Sequence, residues 1–103
     1  LLTSHGLRSL DPNHPQYQGR YGGNQRQRDG NYHQGTVWGW LMGPFVLAHL
    51  RVYNNPTQAR EFLEPMENHL YAHGVGNLSE IFDGDAPITP NGCIAQAWTV
   101  GEV

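Results

Sequence analysis

The sequence has 103 residues, enough for one small domain with a modest hydrophobic core. Its formal net charge of -3 gives no electrostatic footprint for nucleic acid or an acidic membrane, and its one cysteine, Cys93, excludes an internal disulfide. No apolar run reaches the roughly 18–20 residues that span a bilayer, and we expect no secretory signal, which together predict a cytoplasmic protein.

Residues 1–35 have no sustained helical or strand period. The stretch LDPNHPQYQGRYGGNQRQRDGNYHQG is dense in residues that form turns, yet tyrosines alternate with arginines in it, whereas disordered tracts are usually poor in aromatics. Two interpretations stay open: a long surface loop, or an ordered loop that covers a site. RNA binding is disfavoured because the chain is acidic and has no RNA-binding motif.

The stretch TVWGWLMGPFVLAHLRVY, residues 36–53, is apolar on nearly every face, and Arg51 is its only formal charge. A helix of this kind belongs in the interior of a larger protein, so we predict an inner helix over 36–53 with Thr36 as its N-cap. Pro44 is expected to kink or restart the helix. Because few helices are at hand to cover it, we expect the isolated chain to self-associate.

The next segment has clear helix boundaries and one apolar face. Pro56 suits a first helical position after a capping asparagine, and Gly74 suits a C-terminal stop. The apolar positions that recur at every fourth residue are Phe62, Met66 and Leu70. We therefore predict an outer amphipathic helix over 55–73, bent at Pro65.

An acidic loop, residues 74–92, follows and contains NLSEIFDGDAP. Its carboxylates fit a solvated turn, a metal site or a catalytic base. A calcium loop needs a regular series of oxygen ligands that DGDAP lacks, and His69 and His73 lack the glutamate of the helical zinc motif. We therefore predict no metal here.

The last segment, residues 93–103, places an apolar face on the start of a further inner helix. The residues on that face are Ile94, Ala97, Trp98 and Gly101. Cys93 has no convincing partner for nucleophilic catalysis and is interpreted as a small buried residue. The alternation of inner and outer helices predicts an all-α fold with about three helices and long ordered loops.

Three stretches, RYGGNQRQRDGNYHQGTVWGW, NLSEIFDGDAP and GCIAQAW, together resemble the C-terminal catalytic region of glycogen-debranching enzymes of the amylo-α-1,6-glucosidase type. The resemblance covers essentially the whole chain, with the motifs in the family's order. It implies an (α/α)6 barrel of six inner and six outer helices, of which residues 1–103 would be a C-terminal portion truncated at both ends. Gly39 departs from the family, which commonly has proline there, and we expect a looser helix start.

The resemblance implies a hydrolase for the α-1,6 branch points of glycogen or related α-glucans, which uses two carboxylic acids with inversion and no cofactor. Glu80 matches the family's base, and Ser79 and nearby loop amides are expected to hydrogen-bond it. The general acid would lie before residue 1, so the partners are an α-glucan and the remainder of the parent domain, and the chain alone should be inactive. The alternatives are a non-catalytic glucan-binding or scaffold module, or a glycosidase of the same barrel class for another α-glycoside.

A glucose ring has apolar C–H faces and a rim of hydroxyls, which favours aromatic surfaces beside donors and acceptors. The predicted substrate-binding residues are His33, Gln34, Thr36, Trp38, Asp83, Gln96 and Trp98. Core packing is the competing interpretation for Trp38 and Trp98 and the stronger one for Trp40. A capping or loop-fixing contact is the competing interpretation for His33. Asp83 either binds sugar hydroxyls, orients a neighbouring loop or forms an Asx turn.

Overall fold

The computed structural model describes residues 1–103 and shows short strands interspersed with helices. The strands are β1 (Leu2–Thr3), β2 (Gly6–Arg8), β3 (Val37–Trp38), β4 (Ile81–Phe82) and β5 (Pro90–Asn91). The helices are α1 (Gln25–Asn31), α2 (Met42–Tyr53), α3 (Pro56–Glu61), α4 (Glu64–Ala72) and α5 (Ala97–Glu102), with a 3-10 turn at Gly39–Leu41. None of these helices has the length and hydropathy that a bilayer span requires.

The prediction of an all-α fold is wrong, because the chain is 42% helical and 11% strand. The strands form one antiparallel sheet in the order β1-β2-β3-β4-β5. Each strand has only two or three residues, too few for the alternation of apolar and polar residues that reveals a strand in a sequence. Their pairing is also distant along the chain, with Arg8 opposite Val37 and Trp38 opposite Ile81.

The predicted helix over 36–53 begins at Met42, because Val37 and Trp38 are extended and paired in the sheet. Thr36 is buried and its hydroxyl donates to the carbonyl oxygen of Tyr32 at 2.6 Å, so it caps no helix. Pro44 falls in the first turn of α2, where backbone N–H groups have no partner within the helix, and α2 runs unbroken to Tyr53.

The predicted outer helix over 55–73 is two helices, α3 and α4, separated by a turn at Phe62 and Leu63. Its capping signals are confirmed at the start, where the Asn55 side chain accepts a hydrogen bond from the Gln58 N–H at 3.1 Å and Pro56 opens the helix. The predicted long loop over 1–35 contains the β1–β2 hairpin and α1.

A small hydrophobic core lies where β3 and β4 meet α4 and the acidic loop. Its buried members are Val37, Met66, Leu78 and Phe82, with Leu70 and Ile88 packed against them. Because Glu80 directly precedes β4 and Trp38 ends β3, the core also fixes the distance between the two segments that carry the predicted site.

Two histidines pack against this core in their neutral form. Burial lowers the pKa of His5 and of His69 below the ordinary value of 6.5, and nearby histidine charges add to the effect at His69. Both rings contact Phe82, with ring centroids 4.9 Å and 5.0 Å away. His69, only 5% exposed, accepts a hydrogen bond at Nε2 from the Ser79 N–H at 3.3 Å, and that nitrogen is therefore unprotonated.

We therefore expect residues 77–83 to open more readily as the pH falls below 6.5. The opened state binds protons that the closed state excludes. The equilibrium constant between the closed and opened states therefore falls by up to about ten-fold for each unit by which folding lowers the pKa of His69. Amide hydrogen exchange in the full-length protein, corrected for intrinsic pH dependence, would measure this between about pH 7.5 and about pH 5.5. His69→Gln should weaken this pH dependence, whereas the control His14→Gln, at an exposed histidine, should not. An exchange rate of residues 77–83 that does not change with pH in the unsubstituted protein would contradict the prediction.

Candidate functional site

Glu80 is half-buried immediately before β4, and both of its carboxylate oxygens are hydrogen-bonded. Oε1 accepts from the Tyr32 hydroxyl, and Oε2 accepts from the backbone N–H of Cys93 at 3.0 Å. The one salt bridge in the chain joins Arg20 to Asp83, so Glu80 has no cationic partner. The carboxylate is therefore oriented by two neutral donors, which leave lone pairs on each oxygen for another donor such as water.

A glycine allows the backbone to approach this carboxylate. Gly92 has φ +69°, and a Cβ added there would lie 2.5 Å from Oε2 of Glu80. The Glu80 N–H also donates to the Cys93 carbonyl at 2.9 Å, so the two segments are joined on both the backbone and the side chain. Cys93 itself is exposed, and the interpretation of it as a buried residue is wrong.

Tyr32, the other donor to Glu80, is held by its own neighbours. Its carbonyl oxygen accepts from the Thr36 hydroxyl at 2.6 Å and from the Trp38 indole N–H at 3.3 Å. Its ring meets that of Trp38 edge-on, with centroids 4.7 Å apart. Partial burial, reinforced by the hydrogen bond to Glu80, raises the pKa of Tyr32 well above its ordinary value, so the hydroxyl remains a donor at neutral pH.

Pairing of β3 with β4 places the Tyr32 to Trp38 segment beside Glu80. Trp38 lies opposite Ile81 in the sheet, and the Gly39 N–H points to the Glu80 carbonyl at 3.4 Å. Gly39 is buried, and a Cβ there would come within 2.8 Å of the Thr99 methyl group. The close packing of Gly39 thus brings α5 near the same end of the sheet.

An aromatic cavity of about 250 Å³ opens beside these residues, lined by Ser9, His33, Trp38, Trp40, Leu41 and Trp98. The His33 and Trp38 rings stack at 5.1 Å with 3° between their planes, and the Trp40 and Trp98 rings stack at 4.2 Å with 14° between theirs. Trp98 remains 51% exposed, so an indole face is open to solvent. The cavity offers flat apolar surfaces beside an imidazole and a hydroxyl.

Three of the predicted sugar-binding residues, His33, Trp38 and Trp98, come together in the aromatic cavity. Thr36 does not fit that role, because it is 1% exposed and its hydroxyl is bonded to Tyr32. Gln34 does not line the cavity, and its main-chain carbonyl accepts a hydrogen bond from the Gln18 N–H at 2.6 Å.

Gln96 and Asp83 are engaged within the protein. The Gln96 side chain caps α5, accepting from the Trp98 N–H at 3.5 Å. Asp83 is 6% exposed, accepts from the Tyr21 N–H and the Asn91 amide at 2.9 Å each, and pairs with Arg20 at 3.1 Å. Of its three interpretations, the orientation of a neighbouring loop fits, and a contact with sugar hydroxyls does not.

Sequence reasoning missed several residues of the site. Ser9 and Leu41 carried no signal, and Trp40, read as core, lines the aromatic cavity. Tyr32 lies within one of the motifs of the family resemblance, but the partner of its hydroxyl, Glu80, is 48 positions away in the sequence. Ser79, an expected partner of Glu80, instead places its hydroxyl 3.1 Å from Nε2 of His69.

Glu80 is held by two donors, and one of them, Tyr32, packs against Trp38 in the wall of the aromatic cavity. A fixed carboxylate joined in this way to indole surfaces fits a protein that binds sugars and acts on their glycosidic bonds. The sequence model of the family described as amylo-alpha-1,6-glucosidase matches residues 1–103, the whole chain. The chain therefore belongs to this family, which consists of glycoside hydrolases of the glucosidase type.

Proposed function

We propose that this chain supplies the catalytic base and part of the glucose-binding site of an inverting glucosidase that cleaves α-1,6 branch points in glycogen or a related α-glucan. The observation that carries the proposal is the carboxylate of Glu80 in a member of this family, held by the Cys93 amide and by Tyr32, whose ring packs against Trp38 in the wall of the aromatic cavity. The C-terminal part of the catalytic region is the proposed place of the chain within the enzyme.

Inverting hydrolysis needs a carboxylic acid that protonates the leaving oxygen and a carboxylate that takes a proton from water on the opposite face of the ring. The two groups lie roughly 6.5–9.5 Å apart so that the water fits between them. Glu80 would be the base, because its oxygens keep free lone pairs while both donors hold its plane. The general acid would come from a part of the enzyme outside residues 1–103, and the chain alone would then not hydrolyse glucan.

The aromatic cavity would hold the glucose ring or its neighbour in the glucan. The Trp38 ring, backed by His33, and the Trp40–Trp98 pair offer flat surfaces for the C–H faces of a sugar, and the Ser9 hydroxyl lies on the same lining. A stacked ring keeps its hydroxyl rim free for hydrogen bonds, so one surface can bind successive glucose units.

The anomer of the released glucose tests this proposal in the full-length enzyme. With a branched α-glucan, proton NMR should show β-glucose first and α-glucose only after mutarotation, because water attacks opposite the leaving group. A linear α-1,4 glucan should release none. Initial α-glucose would rule out Glu80 as the base of an inverting reaction. Release of glucose from the linear polymer alone would rule out the α-1,6 branch point as the bond that is cleaved.

A glucan-binding role without hydrolysis is the second candidate, favoured by one observation: Glu80 is not among the residues that line the aromatic cavity. The same NMR samples separate the two functions. A binding module would broaden or shift the oligosaccharide signals and release no glucose, whereas the hydrolase would release it.

A further inference from the structure

We infer that Tyr32 is a positioning residue for the reaction, acting through the hydrogen bond from its hydroxyl to Oε1 of Glu80. The inference rests on the proposed function of Glu80 as base. It adds a role for Tyr32 that differs from contact with the sugar, since Tyr32 does not line the aromatic cavity.

The hydroxyl can do this because the rest of Tyr32 is fixed. Its carbonyl oxygen is bonded to the Thr36 hydroxyl and to the Trp38 indole N–H, and its ring packs against Trp38 at 4.7 Å and His33 at 5.0 Å. Because both the backbone and the ring of Tyr32 are held by these contacts, its hydroxyl oxygen is restricted to one position. Tyr32 is thus a rigid donor aimed at Glu80.

Glu80 needs such a donor because its last torsion is broad. The terminal torsion of a glutamate, between an sp³ and an sp² carbon, has no sharp staggered minima, so one hydrogen bond from the Cys93 amide to Oε2 would leave the carboxylate plane free to turn. A second donor on Oε1 fixes the plane. Water attack depends on that orientation, since a displacement of about 1 Å can cost two orders of magnitude in rate.

Tyr32 also keeps its role as a donor at neutral pH. The raised pKa of Tyr32 keeps its hydroxyl protonated through the neutral range. Besides Glu80, the titratable groups near Tyr32 are Tyr21, His33 and Cys93. The Tyr32 hydroxyl donates to none of these three, and its partner is Glu80.

Tyr32→Phe in the full-length enzyme tests the inference, because it removes the hydroxyl and retains the ring. We expect kcat to fall roughly 10- to 100-fold, as for loss of one hydrogen bond to a charged group, with little change in KM. Because the ring and its packing contacts are retained, the urea midpoint should change little.

The matched control is Tyr17→Phe. The Tyr17 hydroxyl also donates to a carboxylate, Oδ1 of Asp85, at 2.9 Å; Asp85 is exposed, and neither residue is hydrogen-bonded to Glu80. This variant makes the same chemical change and should leave kcat and KM unaltered.

The outcomes separate this inference from the proposed function. If Glu80→Gln is inactive while Tyr32→Phe keeps the parent kcat, the positioning role is wrong and the proposed function stands. If Tyr32→Phe lowers the urea midpoint and changes kcat and KM together, Tyr32 is only structural, and the inference is overturned. If Glu80→Gln retains activity, the proposed function itself fails.

Discussion

Glu80→Gln is expected to fold like the parent enzyme and to lose roughly 100- to 10,000-fold in kcat, the range that general acid–base catalysis contributes. Glutamine can keep both observed hydrogen bonds: its carbonyl oxygen can accept from the Cys93 N–H, and its amide can donate to the Tyr32 hydroxyl, which accepts as well as donates. What it cannot do is take a proton from water. Initial rates of glucose release from a branched glucan, with thermal unfolding as the folding control, measure both effects.

Asp85→Asn is the matched control for this experiment. Asp85 belongs to the same acidic loop, is exposed, and accepts from the Tyr17 hydroxyl. Its neutralisation removes one carboxylate from the loop without touching Glu80, so the rate should stay at the parent level. Equal losses in both variants would mean that the loop's charge, rather than one base, supports the reaction.

Gly92→Ala is expected to lower kcat by about 100-fold through displacement of a carboxylate that the substitution does not itself alter. The added methyl group would lie 2.5 Å from Oε2 of Glu80 and 3.0 Å from Cγ1 of Ile81, so the flexible end of the Glu80 side chain must shift and Ile81 must move slightly. The positive φ of +69° adds a strain of roughly 1–2 kcal/mol to the folded state. Kinetics and urea denaturation of the full-length enzyme separate the two effects.

Gly76→Ala isolates the strain. Gly76 also has a positive φ, +82°, but nothing lies within 4 Å of the position where its Cβ would be added. It should lose only the stability that the backbone strain costs and keep its activity. If both variants lose activity to the same extent, backbone strain that spreads through the 74–92 loop, and not displacement of Glu80, is the cause.

Local signals in the sequence predicted the features whose physics is local. An asparagine followed by a proline marks a helix start because the side chain accepts a free N–H and the ring fixes φ, and α3 begins there. The gathering of His33, Trp38 and Trp98 was likewise anticipated, though through the family resemblance and the chemistry of sugar rings.

Features that depend on distant pairing were not predictable in this way. Trp38 is extended because a strand lies on each side of it, at Leu7 and at Ile81, and no period within residues 36–53 reports those neighbours. The same holds for polar side chains. Asp83 is occupied by Arg20, which lies 63 positions earlier, and such a partner becomes visible only when the chain is folded.

The division of the site between the sheet and α5 has a consequence for the diversification of this enzyme. Glu80 is anchored by the strand pairing and the Gly92–Cys93 backbone, whereas Trp98 projects from a short terminal helix with half its surface exposed. If the proposed function holds, substitutions on that helix should change which glycoside is accepted while the proposed base, Glu80, keeps its place. Directed evolution of new specificities should begin at Trp98 and leave the region around Gly92 untouched.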